Sequence, residues 1–175
     1  MRAMSVMRFM VFGAVGFGIG GILPLPLNVL IGGALGGAAL GLALKDWGRV
    51  VILAVLGELG LVLGVMAGLG ISHYFFYSSE VPVMFMMGAV VGASLGAAFL
   101  DWKTILTLAV AGAVGFSVGS LPGGSLGFSI PIIRQLLGAA GSIAIAGLVG
   151  GASLGAALGY LEERKLAEEQ RPRVR

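Results

Sequence analysis

Apolar residues fall along this chain in six blocks, at about residues 8–23, 28–44, 50–71, 83–100, 104–121 and 139–160, with short polar clusters between them. Continuous apolar runs interrupted by glycine rather than by charge predict membrane-spanning helices, not the half-polar helices of a soluble domain. The third block is long enough to cross a hydrocarbon layer of about 30 Å at about 1.5 Å per residue. The first is short and is ended by Pro24 and Pro26. Residues 131–140 read either as a short interfacial helix or as an early start of the sixth span. Beyond it, Arg164 with Glu168 and Lys165 with Glu169 form i,i+4 pairs that carry the helix into water until Pro172.

Glycine spacing adds a second pattern to the first. Gly88, Gly92 and Gly96 recur every four residues and are followed by Asp101-Trp102; Gly33, Gly37 and Gly41 precede Asp46-Trp47 in the same way, and Gly147, Gly151 and Gly155 run toward the charged tail. The alternate blocks carry Gly57, Gly60 and Gly64, matched by Gly112, Gly115 and Gly119 and by Gly13, Gly16 and Gly20. Small residues at four-residue spacing line one side of a membrane helix and let a neighbouring backbone approach closely. The chain is therefore expected to be all-α, an integral membrane bundle of six transmembrane helices in three tandem two-helix glycine-zipper repeats at about 7–47, 48–102 and 103–161. Because every pair has the same orientation, a pseudo-threefold axis about the membrane normal is expected. Residues 1–161 then form one transmembrane domain, and 162–175 a charged tail. The charged start and apolar middle of 8–23 also fit a signal peptide, but its glycine register makes it the first member of the repeat.

Composition agrees with a membrane protein: 58% of residues are hydrophobic and 11% charged, with a mean hydropathy of +1.04. The absence of cysteine excludes disulfides, thiolate metal sites and a cysteine nucleophile. The net charge of +3 does not indicate nucleic acid, since the basic residues lie between apolar blocks. With six spans, every Lys and Arg except Arg134 falls on one face, and the positive-inside rule places both termini in the cytoplasm. The expected location is a prokaryotic plasma (inner) membrane.

Candidate chemistry is sparse. Glu58 lies nine residues past Arg49, roughly 13 Å along the helix and near the bilayer midplane, where a carboxyl is costly and marks either an ion or solute site or a protonated packing contact. At the outer end, His73, Tyr74, Tyr77 and Glu80 fit an aromatic interfacial belt or a lid over a cavity, and Arg134 is the one outer base. The GxSxG sequences around Ser94 and Ser153 lack the strand and turn of a nucleophile elbow; their hydroxyls are expected to bond a carbonyl one turn back. Asp46 and Asp101 are expected to cap the following helices, with Trp47 and Trp102 as interfacial anchors. No catalytic constellation, metal site or cofactor is implied. Expected partners are the lipid bilayer, further copies of the chain or other membrane subunits, and a small solute or cation. The leading expectation is a transport or solute-binding membrane component with an acidic midplane site at Glu58; the alternative is a structural or assembly subunit that packs against other membrane proteins through its glycine seams.

Overall fold

The computed structural model describes residues 2–23, 27–75, 81–121 and 131–169. These form six helices: α1 (Arg2–Ile22), α2 (Leu27–Leu44), α3 (Trp47–Phe75), α4 (Val81–Ala97), α5 (Trp102–Leu121) and α6 (Pro131–Glu169). Among the described residues there is no strand. Five helices are long and apolar enough to cross a membrane, whereas α4, at 17 residues, falls just short of that length. Six full spans had been expected. The fourth is shortened because residues 98–100 leave the helix for a turn in which Leu100 takes a φ of 51°. The ten-residue segment 131–140 belongs to the sixth helix, which runs unbroken from Pro131.

Each helix packs antiparallel on its neighbours in sequence, and α1 also packs along α6, so the six close into a ring. The seams depend on glycine. A side chain at Gly33 would fall on the carbonyl of Gly57, and one at Gly88 on the carbonyl of Gly112. On the closing seam, Gly151 meets Gly13 and Gly155 meets the Phe9 carbonyl in the same manner. Glycine costs a helix about 1 kcal/mol in water, but in lipid the backbone has no alternative hydrogen-bond partner, so the helices persist and the close approach recovers dispersion contact. Inside the ring, Phe9, Leu40, Leu53, Val91, Leu95, Leu108 and Leu154 are buried. On the outside, Val51, Ile52, Val55, Leu59, Leu63 and Met66 of α3 are exposed. An apolar exterior of this extent is not tolerated in water, and the bundle is compatible with a multi-pass membrane protein.

One end of the ring is built from short turns. In both the α2–α3 and the α4–α5 turn, a residue in the left-handed region, Lys45 (φ 58°) or Leu100 (φ 51°), reverses the chain and an aspartate caps the next helix. Asp46 accepts from the amides of Gly48 at 3.0 Å and Arg49 at 3.3 Å. Asp101 accepts from the Thr104 hydroxyl at 2.7 Å and the Thr104 amide at 3.1 Å. The capping expectation for both aspartates holds. The same end is tied across by Phe99, whose ring lies under the Arg49 guanidinium at 5.3 Å and the Lys165 ammonium at 5.5 Å, and by Ser5, whose hydroxyl donates to Glu163. We refer to this as the turn end, and to the opposite end as the loop end.

Two tests follow from the packing and the caps. Gly92→Ala, which puts a methyl against the Leu108 carbonyl, is expected to lower stability by at least about 2 kcal/mol, whereas Gly70→Ala, which meets nothing within 4 Å, is expected to leave it unchanged or raise it; thermal unfolding in detergent reads both. The Asp101 carboxyl is held below its ordinary value, first by the Thr104 hydroxyl, then by the Thr104 amide, with smaller contributions from the Lys103 amide and Lys165. A depressed folded pKa stabilises at pH above the unfolded value and is lost as pH falls through the folded one. The α4–α5 turn should therefore loosen only below about pH 3.8, and Asp101→Asn should abolish that acid step in amide exchange of Lys103 and Thr104.

Candidate functional site

At the loop end the ring does not fill. Side chains there are small where the helices converge, with Gly20 and Gly21 ending α1, Gly32 in α2 and Gly147 in α6, and they leave a cup of about 210 Å³. All six helices line it. Its deep wall is formed by Phe17, Leu61 and Phe116, and the Phe17 and Phe116 rings meet edge-on at 5.7 Å and 88°. Toward the turn end the interior is closed by Leu40, Leu53, Val91, Leu95, Leu108 and Leu154. Among the described residues the cup therefore does not continue toward the turn end as a channel.

Its lining is almost wholly apolar: Val29, Val65, Val83, Met84, Met87 and Ile143 complete the wall, and among the described residues Asn28 is its one side chain with a polar group. Asn28 is 6% exposed, and its Oδ1 is buried without a hydrogen-bond partner among the described residues. A carboxamide oxygen left unpaired away from water costs on the order of 1–3 kcal/mol, so this atom is either a defect or a contact awaiting a donor. Sequence reading passed over Asn28. The available signal was an isolated amide at the start of an otherwise apolar span, directly after the Pro24-Leu25-Pro26 segment.

Glu58 is placed elsewhere. It is half-buried in the α2–α3 seam, where the Gly33 backbone lies against its Cα. Its Oε2 accepts from the Ala34 amide at 3.0 Å, and its Oε1 is buried without a partner among the described residues. Glu58 does not line the cup. Because an α2 amide supplies its contact, the side chain acts as a polar clip between two helices.

The other sequence candidates are not brought together. His73 is exposed on the last turn of α3. Tyr74 lies in the same turn and Arg134 in the first turns of α6, with both side chains outside the described residues, as are Tyr77 and Glu80 altogether. Among the described residues no three metal-ligating side chains cluster. Ser153 donates to the Ala111 carbonyl of α5 at 2.8 Å, not to a carbonyl of its own helix as expected, because Gly115 lets the two backbones approach beside it. Of the packing glycines, Gly37 meets Leu53, Gly41 meets Val50, Gly60 meets Ser94, Gly64 meets Met87, Gly96 meets Ile105, Gly119 meets Ala146 and Gly147 meets Phe17. Each lies in a seam. Compared with family models, curated proteins and solved structures, the chain matches none.

Replacing Glu58 separates clip from site. Glu58→Gln retains an acceptor for the Ala34 amide and should unfold at the same temperature as the wild type. Glu58→Met removes the acceptor of the Ala34 amide and should lower stability by about 1 kcal/mol, read by thermal unfolding in detergent.

Proposed function

We propose that this protein is a solute-binding membrane component of a transport system, with the loop-end cup as its site. The observation that carries the reading is the cup itself, lined by all six helices and closed below by buried leucines. A structural ring would gain stability by filling that space with one or two larger side chains. One-sided closure fits a component that captures a solute from one side and relies on a partner or a conformational change to pass it on. In this proposal the chain crosses a prokaryotic plasma membrane six times, α4 included, with the turn end and both termini cytoplasmic and the cup facing outward.

The reading extends to three tandem hairpins. What supports it is the register of the seams: Gly33 on Gly57, Gly37 on Leu53 and Gly41 on Val50 are matched, each by the same shift along the chain, by Gly88 on Gly112, Gly92 on Leu108 and Gly96 on Ile105. Gly16 on Ala39, Gly60 on Ser94 and Gly115 on Ser153 are likewise corresponding pairs. The closing seam departs from the pattern. Gly151, the counterpart of Gly37 and Gly92, meets Gly13 instead of Phe9, a displacement of one helical turn. No connection joins α6 to α1, so packing alone sets that register, and the proposed threefold relation is interrupted there.

A second reading is kept for Glu58. Its unpaired Oε1 suits a donor from another subunit, which would make the α2–α3 seam part of an assembly surface. The two readings are separated by oligomeric state and by access to the cup. The chain has no cysteine, so single-cysteine variants report cleanly. In proteoliposomes, Val83→Cys should react with a small water-soluble methanethiosulfonate added from the loop side, whereas Leu95→Cys should not. An unreactive Val83→Cys would show a filled cup and end the solute-binding proposal; a reactive Leu95→Cys would indicate a continuous pore.

A further inference from the structure

We infer that the cup selects a small uncharged molecule, mostly aromatic or hydrocarbon, that carries one hydrogen-bond donor for Asn28. The inference rests on the reading of the cup as a solute site and adds the chemistry of what enters it. Three observations fix that chemistry. First, volume sets size: a cavity of about 150 Å³ holds benzene, so about 210 Å³ accommodates a molecule of about eight or nine non-hydrogen atoms. Second, among the described residues no charged side chain lines the cup, and an ion moved there from water would lose its hydration without a counter-charge from that lining. Third, Asn28 is 94% buried by its exposure of 6%, and the atom that lacks a partner among the described residues is its oxygen, an acceptor.

Position strengthens the third point. Asn28 is the second residue of α2, on the wall toward the loop end, while Phe17 and Phe116 stand nearer the turn end. A flat aromatic molecule can then place its ring against the two phenylalanines, which favour edge and offset contacts, and turn its N–H or O–H toward the wall. The terminal carboxamide rotates over a broad range about χ2, so its oxygen can swing to meet the donor without backbone movement. Glu58 takes no part, since it lies in the α2–α3 seam outside the cup.

The probe pair is indole and indene, which share shape and size and differ in the N–H. Met84 and Met87 line the cup, so methyl-labelled methionine NMR of the full chain in detergent micelles reports occupancy, with each probe's micelle partition measured separately. In the wild type both probes should shift the Met84 and Met87 methyls, and indole should bind about tenfold more tightly than indene after correction for partition. Asn28→Leu should abolish that preference while leaving indene bound, and should itself unfold at a higher temperature, because an unpaired polar atom is replaced by an apolar group of similar volume. A preference for indole that survives in Asn28→Leu, or no preference in the wild type, overturns the donor inference but leaves the cup as a site. If neither probe shifts either methyl, water or chain segments occupy the cup, and the solute-binding reading fails with it.

Discussion

The ring stands on contacts in which one helix backbone rests directly on another. Gly33 against Gly57, Gly88 against Gly112 and Gly151 against Gly13 leave no room for a Cβ, so the distance between axes at these points is set by main-chain atoms. In lipid, association of helices gains nothing from hiding apolar surface from water, and close packing supplies the attraction instead. This explains a composition that would be poor for a soluble bundle: 32 glycines weaken isolated helices, yet they are what allows six of them to close with little side-chain volume between them.

The same economy of volume creates the cup. Where glycine seams coincide with bulky inward residues, as around Leu40, Leu53, Leu95 and Leu108, the interior is filled. Toward the loop end Gly20, Gly21, Gly32 and Gly147 contribute no side chain to the interior, and the ring there surrounds space. Phe17 and Phe116 reach across from non-adjacent helices and mark the boundary between the two regimes. Of the three buried polar atoms that lack a partner among the described residues, Glu58 Oε1 and Asn28 Oδ1 do so for different reasons. Glu58 Oε1 is a remainder of a clip whose other oxygen holds the α2 backbone, whereas Asn28 Oδ1 is the buried end of a side chain that lines the cup.

The turn end shows how local chemistry cooperates with this packing. Lys45 and Leu100 adopt positive φ at the cost of strain that glycine would avoid, yet Asp46 and Asp101 begin the next helix immediately and satisfy its free amides. Phe99 then receives cations from α3 and α6, elements on either side of the turn. Short connections and cross-ring contacts tie this end together, and the cup lies toward the other.

The sequence by itself determined the class of object, because hydropathy, glycine spacing and capping are local properties: six apolar helices, their approximate limits, the Asp46 and Asp101 caps and the glycine faces were all legible. It also marked Glu58, since an acid in an apolar span is conspicuous one residue at a time. Which faces meet was not legible. Gly13 packing on Gly151 joins the two ends of the chain, and the displacement of that seam by a turn depends on the whole ring having closed. Likewise Ser153 reaches Ala111 on α5 only because Gly115 is beside it. Asn28 gained importance and Glu58 lost it for the same physical reason: the worth of a polar atom in an apolar body depends on whether it finds a partner, and that was decided only when the six helices were assembled.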